Sequence, residues 1–168
     1  MAQFISNIFL ALRSMMYATV FVFLWGWLAV ETRRGLGEWF TLPSFTRWIG
    51  LFCFVLGGAL ALWCILQFFL FGKGTPAPFD APTNLVRTGP YKYVRNPMYV
   101  GGAIVLLGFG LWNTSTTMAL FTIFFLLLAH FFVVLYEEPA LEREFGPDYL
   151  LYKTAVSRWI PKSPGQAA

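Results

Sequence analysis

Long apolar runs, separated by short polar stretches rich in Gly and Pro, set the pattern of this chain. Phe9 to Val30 is apolar except for Arg13, Ser14 and Thr19, long enough to span roughly 30 Å of hydrocarbon, and Arg13 can snorkel to the near interface. The segment is aromatic up to Trp25 and Trp27 and lacks a small-residue cleavage site, so a retained first span is favoured over a cleaved signal peptide. A loop over Glu31 to Arg47 follows. A second span is predicted over Trp48 to Phe71, with Gly57 and Ala61 four apart so that another helix can approach closely.

The run from Met98 to Tyr136 is too long for one ordinary span and is interrupted at Trp112 to Thr116, which predicts a helical hairpin, Pro97 to Leu111 and Thr117 to Tyr136. Its first arm is about 22 Å long, short for a crossing. Beyond it, Glu137 to Pro161 turns abruptly polar. That tail predicts two short amphipathic helices broken at Gly146-Pro147, lying on the interface with Leu141, Phe145, Leu150, Leu151 and Trp159 inward. The fold class is therefore all-α: a single polytopic membrane domain of about four transmembrane helices (9–30, 48–71, 97–111 and 117–136) plus amphipathic C-terminal helices.

Composition agrees, with 58% hydrophobic and 12% charged residues, far from the roughly 25% charged of a soluble domain. The net charge of +4 is scattered among aromatics in short loops, which suits orientation in a bilayer and not nucleic-acid binding. Four spans place Arg13, Lys73, Arg87, Lys92, Arg95, Arg143, Lys153, Arg158 and Lys162 on one side and Arg33, Arg34 and Arg47 on the other. The positive-inside rule makes the first side cytoplasmic, with both termini on it. Cys53 and Cys64 lie on one predicted helix, about 16 Å apart and too far for a disulfide between them.

The longest polar stretch, Gly72 to Asn96, reads as an ordered, irregular excursion, and such loops are uncommon unless functional. It ends in RTGPYKYVRNPMYVGG, Arg87 to Gly102. Gly89-Pro90 is a turn; Asn96-Pro97 is a helix start, with Asn as N-cap and Pro at the first helical position. The free N–H groups of that helix then face Arg87, Lys92 and Arg95, which makes an anion site at the bilayer edge. Glu137 and Glu138 sit where the last span meets water on the same side. Neighbouring helix residues point about 100° apart, so at most one faces a shared cavity while the other turns to water. Either the glutamates are a solvated boundary, or they and the helix start hold a ligand with one anionic and one cationic or hydroxyl-bearing end. An amino acid derivative fits the second description.

GPYKYVRNPMY, then EEPAL, then FGPDYLLYKTAVSRWIP, in this order and spacing, resemble the membrane methyltransferases typified by isoprenylcysteine carboxyl methyltransferase, with the phospholipid N-methyltransferases as relatives. The resemblance covers about Thr83 to Pro161. It implies a multi-helix core that binds S-adenosylmethionine from the cytosol and receives a lipophilic substrate through the bilayer. Cofactor contacts would fall on Thr83, Asn84, Leu85, Val86, Tyr91, Asn96, Pro97, Met98, Tyr99 and Glu137. The methionyl carboxylate would meet the helix start, the sulfonium would lie against Tyr91 or Tyr99, and Glu137 would accept from ribose hydroxyls or pair with the ammonium.

Two departures matter. Asn96 stands where the family often has His, and Val133 stands where the prenylcysteine enzymes carry an Arg four residues before the glutamate equivalent to Glu137. The implied reaction is in-line displacement on the sulfonium methyl by a lipophilic nucleophile, which requires chiefly positioning and desolvation. No catalytic base is evident; Arg95, Glu138 and His130 are the candidates. His130 lies seven residues before Glu137, hence on one face of an unbroken helix. Gly108-Phe109-Gly110 is similar to a GxG element of phospholipid methyltransferases, with helix packing as the plainer reading. The rival functions are a non-catalytic lipid-binding membrane protein and a sterol-reductase-like enzyme using a nicotinamide cofactor. No metal cluster is apparent, and nothing in the sequence fixes the oligomeric state.

Overall fold

The computed structural model describes residues 2–72 and 83–161. Lys73 and Lys162, counted above toward the charge asymmetry, lie outside the described residues. Among the described residues the elements are helical: α1 (Ala2–Leu36), α2 (Thr46–Gln67), α3 (Pro97–Trp112), α4 (Thr116–Phe132), α5 (Glu138–Phe145) and α6 (Pro147–Ala155). A π-helical turn, Phe68–Gly72, extends α2, and another, Val133–Glu137, joins α4 to α5. Thr46–Gly72 and Thr116–Phe145 are long and apolar enough to cross a membrane; Pro97–Trp112 is apolar but shorter.

Two boundaries differ from the sequence reading. The first helix runs on to Leu36 rather than ending near Val30. Arg33 and Arg34 in its last turn suit the negative end of the dipole, Arg34 pairs with Glu31 at 2.7 Å, and Gly37 ends the helix at φ 76°. The last long helix does not stop at Tyr136 either. It passes through the π turn directly into α5 and breaks only at Gly146, φ 51°, where Pro147 begins α6. The starts at Pro97 and Pro147 and the break around Asn113 fall where the Pro, Asn and Gly signals put them.

The chain divides into two compact units. One contains Ala18–Ala61 and Met98–His130. Here α2 and α3 touch backbone to backbone: a Cβ added at Gly57 would meet the Gly101 carbonyl at 2.6 Å, and one at Gly108 would meet the Gly50 carbonyl at 2.7 Å. The Gly57 and Ala61 spacing thus does allow close approach, since a Cβ at Gly101 would lie 3.1 Å from the Ala61 nitrogen. Gly110 is likewise filled from outside by the Ala119 backbone. The GxG glycines serve packing in this unit.

An aromatic cluster of Phe21, Trp25, Phe121 and Phe125 ties α1 to α4, with Trp25 and Phe125 edge to face at 4.8 Å. The α4 start is capped twice. Ser115 Oγ accepts from the Met118 N–H at 3.1 Å, and the Glu38 carboxylate accepts from the Thr117 N–H at 3.1 Å. Burial raises the Glu38 pKa, but hydrogen bonds from Ser115 and Thr117 and the charge of Arg33 outweigh it and hold the carboxyl below its ordinary value.

Candidate functional site

The other unit contains Met1–Tyr17, Leu62–Pro97 and Phe131–Ala168, and it carries the loop that the sequence singles out. The loop returns to where it left. The Asn84 N–H and the Thr83 hydroxyl both donate to the Gly72 carbonyl at 3.3 Å, and the Asn84 side-chain amide donates to the Phe71 carbonyl at 3.3 Å. Farther along, the Thr88 hydroxyl donates to the buried Gln67 side chain at 2.7 Å. Gly89–Lys92 then forms a 3-10 turn that drives Tyr91 inward.

Tyr91 is buried. Its hydroxyl meets the Cys64 thiol, its ring stands edge-on to Phe68 at 5.5 Å, and its carbonyl accepts from the Tyr152 hydroxyl at 2.7 Å. Burial, with the Glu137 carboxylate nearby, keeps the phenol well above its ordinary pKa, so it stays neutral at any physiological pH.

Just before α3 the loop is strapped by the segment that follows α6. Val94 bridges Ser157, the Arg95 N–H donates to the Ser157 carbonyl at 2.8 Å, and the Asn96 side-chain amide donates to the Arg158 carbonyl at 3.3 Å. Beneath the strap lies Glu138, 4% exposed. Its carboxylate accepts from Arg95 Nη2 at 2.8 Å, from Arg158 Nε at 2.7 Å and from Arg158 Nη2 at 2.9 Å, with Lys153 Nζ at 3.6 Å. Lys153 pairs more closely with Glu142, at 2.5 Å. The Arg95 side chain is 7% exposed and also donates through Nη1 to the Lys153 carbonyl at 2.8 Å, while its Nε–H is buried with no acceptor among the described residues.

Set against the sequence candidates, the structure joins Arg95, Asn96 and Glu138 in one network through Arg158, ties Tyr91 separately to Tyr152, and holds Thr83 and Asn84 at the loop's return. Val86 and Pro97 are buried, Leu85 half-buried. Glu137 is half-buried, and its charge is felt by Tyr91 and Tyr149. Met98, Tyr99 and His130 belong to the other unit, where Tyr99 packs against the Ala103, Leu106 and Phe125 cluster.

The glutamate turned inward is Glu138, not water-facing, because the π turn Val133–Glu137 takes one extra residue into the helix and shifts everything after it by a position. The same turn lies between His130 and Glu137, so their seven-residue spacing is not a same-face spacing. On α6 the residues packed against the protein are Tyr149 and Tyr152, both buried, while Leu150 and Leu151 are 51% and 69% exposed on its outer face. Arg158 and Lys153 were read from the sequence only as cytoplasmic-side cations, not as partners of Glu138. Their partners stand 20 and 11 residues away along the chain for Glu138 and Glu142, and no spacing rule spans such distances.

Residues 45–148 match the family model described as phospholipid methyltransferase, well over half of the chain. That range holds Arg95 and Glu138, whereas α6 from Tyr149 onward and the strap after it lie beyond it. A protein of Haemophilus influenzae described only as uncharacterized is 36% identical over 63 residues, 38% of this chain and the whole of that relative. With two membrane-length helices, the apolar Pro97–Trp112 helix and a matched region that encloses the loop and both glutamates, this chain belongs to the phospholipid methyltransferase family, methyltransferases that act on lipid-type substrates.

Proposed function

We propose that this protein transfers a methyl group from S-adenosylmethionine to a lipophilic substrate at the cytoplasmic edge of a membrane. The observation that carries this reading is the immobilised loop Thr83–Pro97, fixed at both ends and strapped from behind, leading straight into an apolar helix. The donor set fits the cofactor. Exposed Arg87 and Lys92 and the buried Arg95 supply positive charge for a carboxylate, Thr83 and Asn84 supply polar groups, and Glu137 supplies an acceptor for ribose hydroxyls or an ammonium. When bound, S-adenosylmethionine supplies a methyl group activated by its sulfonium.

The protein's part is to orient and to exclude water. Tyr91, Asn96, Pro97 and Glu137 hold the cofactor in this proposal, joined by Leu85 and Val86 of the loop. Glu138 holds Arg95 and Arg158 instead of acting as a base, since its carboxylate is committed to both guanidinium groups. The acceptor is a neutral or cationic nucleophile such as an amine, thiol or phospholipid headgroup. A carboxylate acceptor would need a cation to replace its lost hydration, and the fully buried Val133 offers only methyl groups. Four spans with both termini cytoplasmic complete the proposal. Calorimetry with S-adenosylhomocysteine in detergent tests it: saturable binding is expected, and none at millimolar ligand would overturn it.

A further inference from the structure

We propose that Arg95 is a built oxyanion receptor, whose Nε–H donates to the carboxylate or phosphate of a bound ligand. The inference deepens the methyl-transfer reading and rests on it only for the identity of that ligand. Two independent observations converge on it.

The first is the orphaned donor. A guanidinium has five N–H groups. Here one edge is spoken for, Nη2 by Glu138 at 2.8 Å and Nη1 by the Lys153 carbonyl at 2.8 Å. The Nε–H is buried without an acceptor, on a side chain only 7% exposed. A buried donor left without a partner loses its hydration and gets nothing in return, so such groups call for an explanation, a ligand among them.

The second is charge. Arg95 and Arg158 converge on the single carboxylate of Glu138, while Lys153 pairs with Glu142. Two guanidinium groups thus share one carboxylate, and in a site of low dielectric this favours an anion over a neutral acceptor such as a carbonyl or a hydroxyl at the remaining donor.

The receptor is also rigid before any ligand arrives. Arg95 is held by its own N–H to the Ser157 carbonyl, by the neighbouring Val94 and Ser157 bridge, and by the two contacts of its amino groups. Little ordering remains to be done on binding. Two ligands of this reaction class bring an oxyanion: the cofactor, through the carboxylate of its amino-acid end, and a phospholipid acceptor, through its phosphate.

The experiment uses the full-length protein in detergent and compares ligands that differ by the oxyanion alone. S-adenosylmethionine is paired with decarboxylated S-adenosylmethionine, and a short-chain phosphatidylethanolamine with a glycerolipid amine that lacks the phosphate. Arg95→Lys is expected to weaken the oxyanion-bearing member of one pair by about tenfold to a hundredfold, as for one charge-assisted hydrogen bond, and to leave its counterpart within about twofold. Whichever pair responds names the source. Because Arg95→Lys also loosens the strap, the wild-type protein supplies a second readout: the proton resonance of the Arg95 Nε–H should move downfield on adding the oxyanion-bearing ligand and stay put with its counterpart. Equal losses for both members of each pair, with that resonance unmoved, would overturn the receptor while leaving methyl transfer intact. Failure of S-adenosylmethionine to bind, with a phosphate response preserved, would overturn the cofactor reading and leave the receptor standing.

Discussion

Glu138→Gln is the sharpest structural perturbation available. The wild-type carboxylate accepts three hydrogen bonds, at 2.8, 2.7 and 2.9 Å, from two guanidinium groups whose side chains are 7% and 29% exposed. The amide keeps the shape but removes the charge, and it turns an NH2 toward one of the guanidinium groups. Breaking a buried ion pair from one side costs about 3–5 kcal/mol. Arg158 and Lys153 retain some solvent and recover part of that, so about 3 kcal/mol is expected, more than a hundredfold in the folding equilibrium. Pulse proteolysis with trypsin across a denaturant series in mild detergent reads it, since Lys153 on α6 and Arg158 in the strap become cleavage sites when the network opens. Glu142→Gln is the control: its partner Lys153 and Glu142 itself are both 36% exposed, and its loss should stay below about 1 kcal/mol. If Glu138→Gln costs no more than Glu142→Gln, the strap is not held by that carboxylate.

Glu137→Ala should weaken S-adenosylhomocysteine binding by about 1.5–3 kcal/mol, one charge-assisted hydrogen bond, in the same calorimetric assay; unchanged affinity would remove Glu137 from the site. Gly108→Ala should cost about 1–3 kcal/mol in the same proteolysis assay, because the new Cβ would meet the Gly50 carbonyl and the Phe54 nitrogen at 2.7 Å and neither backbone can withdraw. The Glu38 carboxyl titrates below its ordinary 4.5 in the folded state, so its contribution to stability is present in full above about pH 4.5 and lost as pH falls through the depressed folded value. Glu38→Gln should flatten the acid limb of the stability profile, and an unaltered limb would show that its partners at Thr117 and Ser115 do not depend on the charge.

What the sequence disclosed and what it concealed follow from the range of the forces involved. Helix starts at Pro97 and Pro147 are local, set by a fixed φ and a missing donor, and both were readable from a few residues. The Gly57 and Ala61 spacing announced a close helix approach because only small residues permit one. The π turn at Val133–Glu137 was not readable, since VVLYE is apolar like the helix around it, and that one extra residue decided which glutamate turns inward. The protein-facing side of α6 was not readable for a related reason. Leu150 and Leu151 are more apolar than Tyr149 and Tyr152, but a buried tyrosine can also satisfy a backbone carbonyl, as Tyr152 does for Tyr91. Arg158 could be placed only once the fold had brought residues 95, 138 and 158 together.

Radiolabelled methyl transfer tests the central claim most directly. The purified protein in one detergent is given methyl-labelled S-adenosylmethionine with aminolipids, hydrophobic thiols and a farnesylcysteine analogue in parallel, and the organic extract is counted before and after base treatment. Base-stable label is expected on an aminolipid or thiol, and none on the farnesylcysteine carboxylate. Base-labile methyl ester on the farnesylcysteine analogue, or no label on any acceptor, would contradict it.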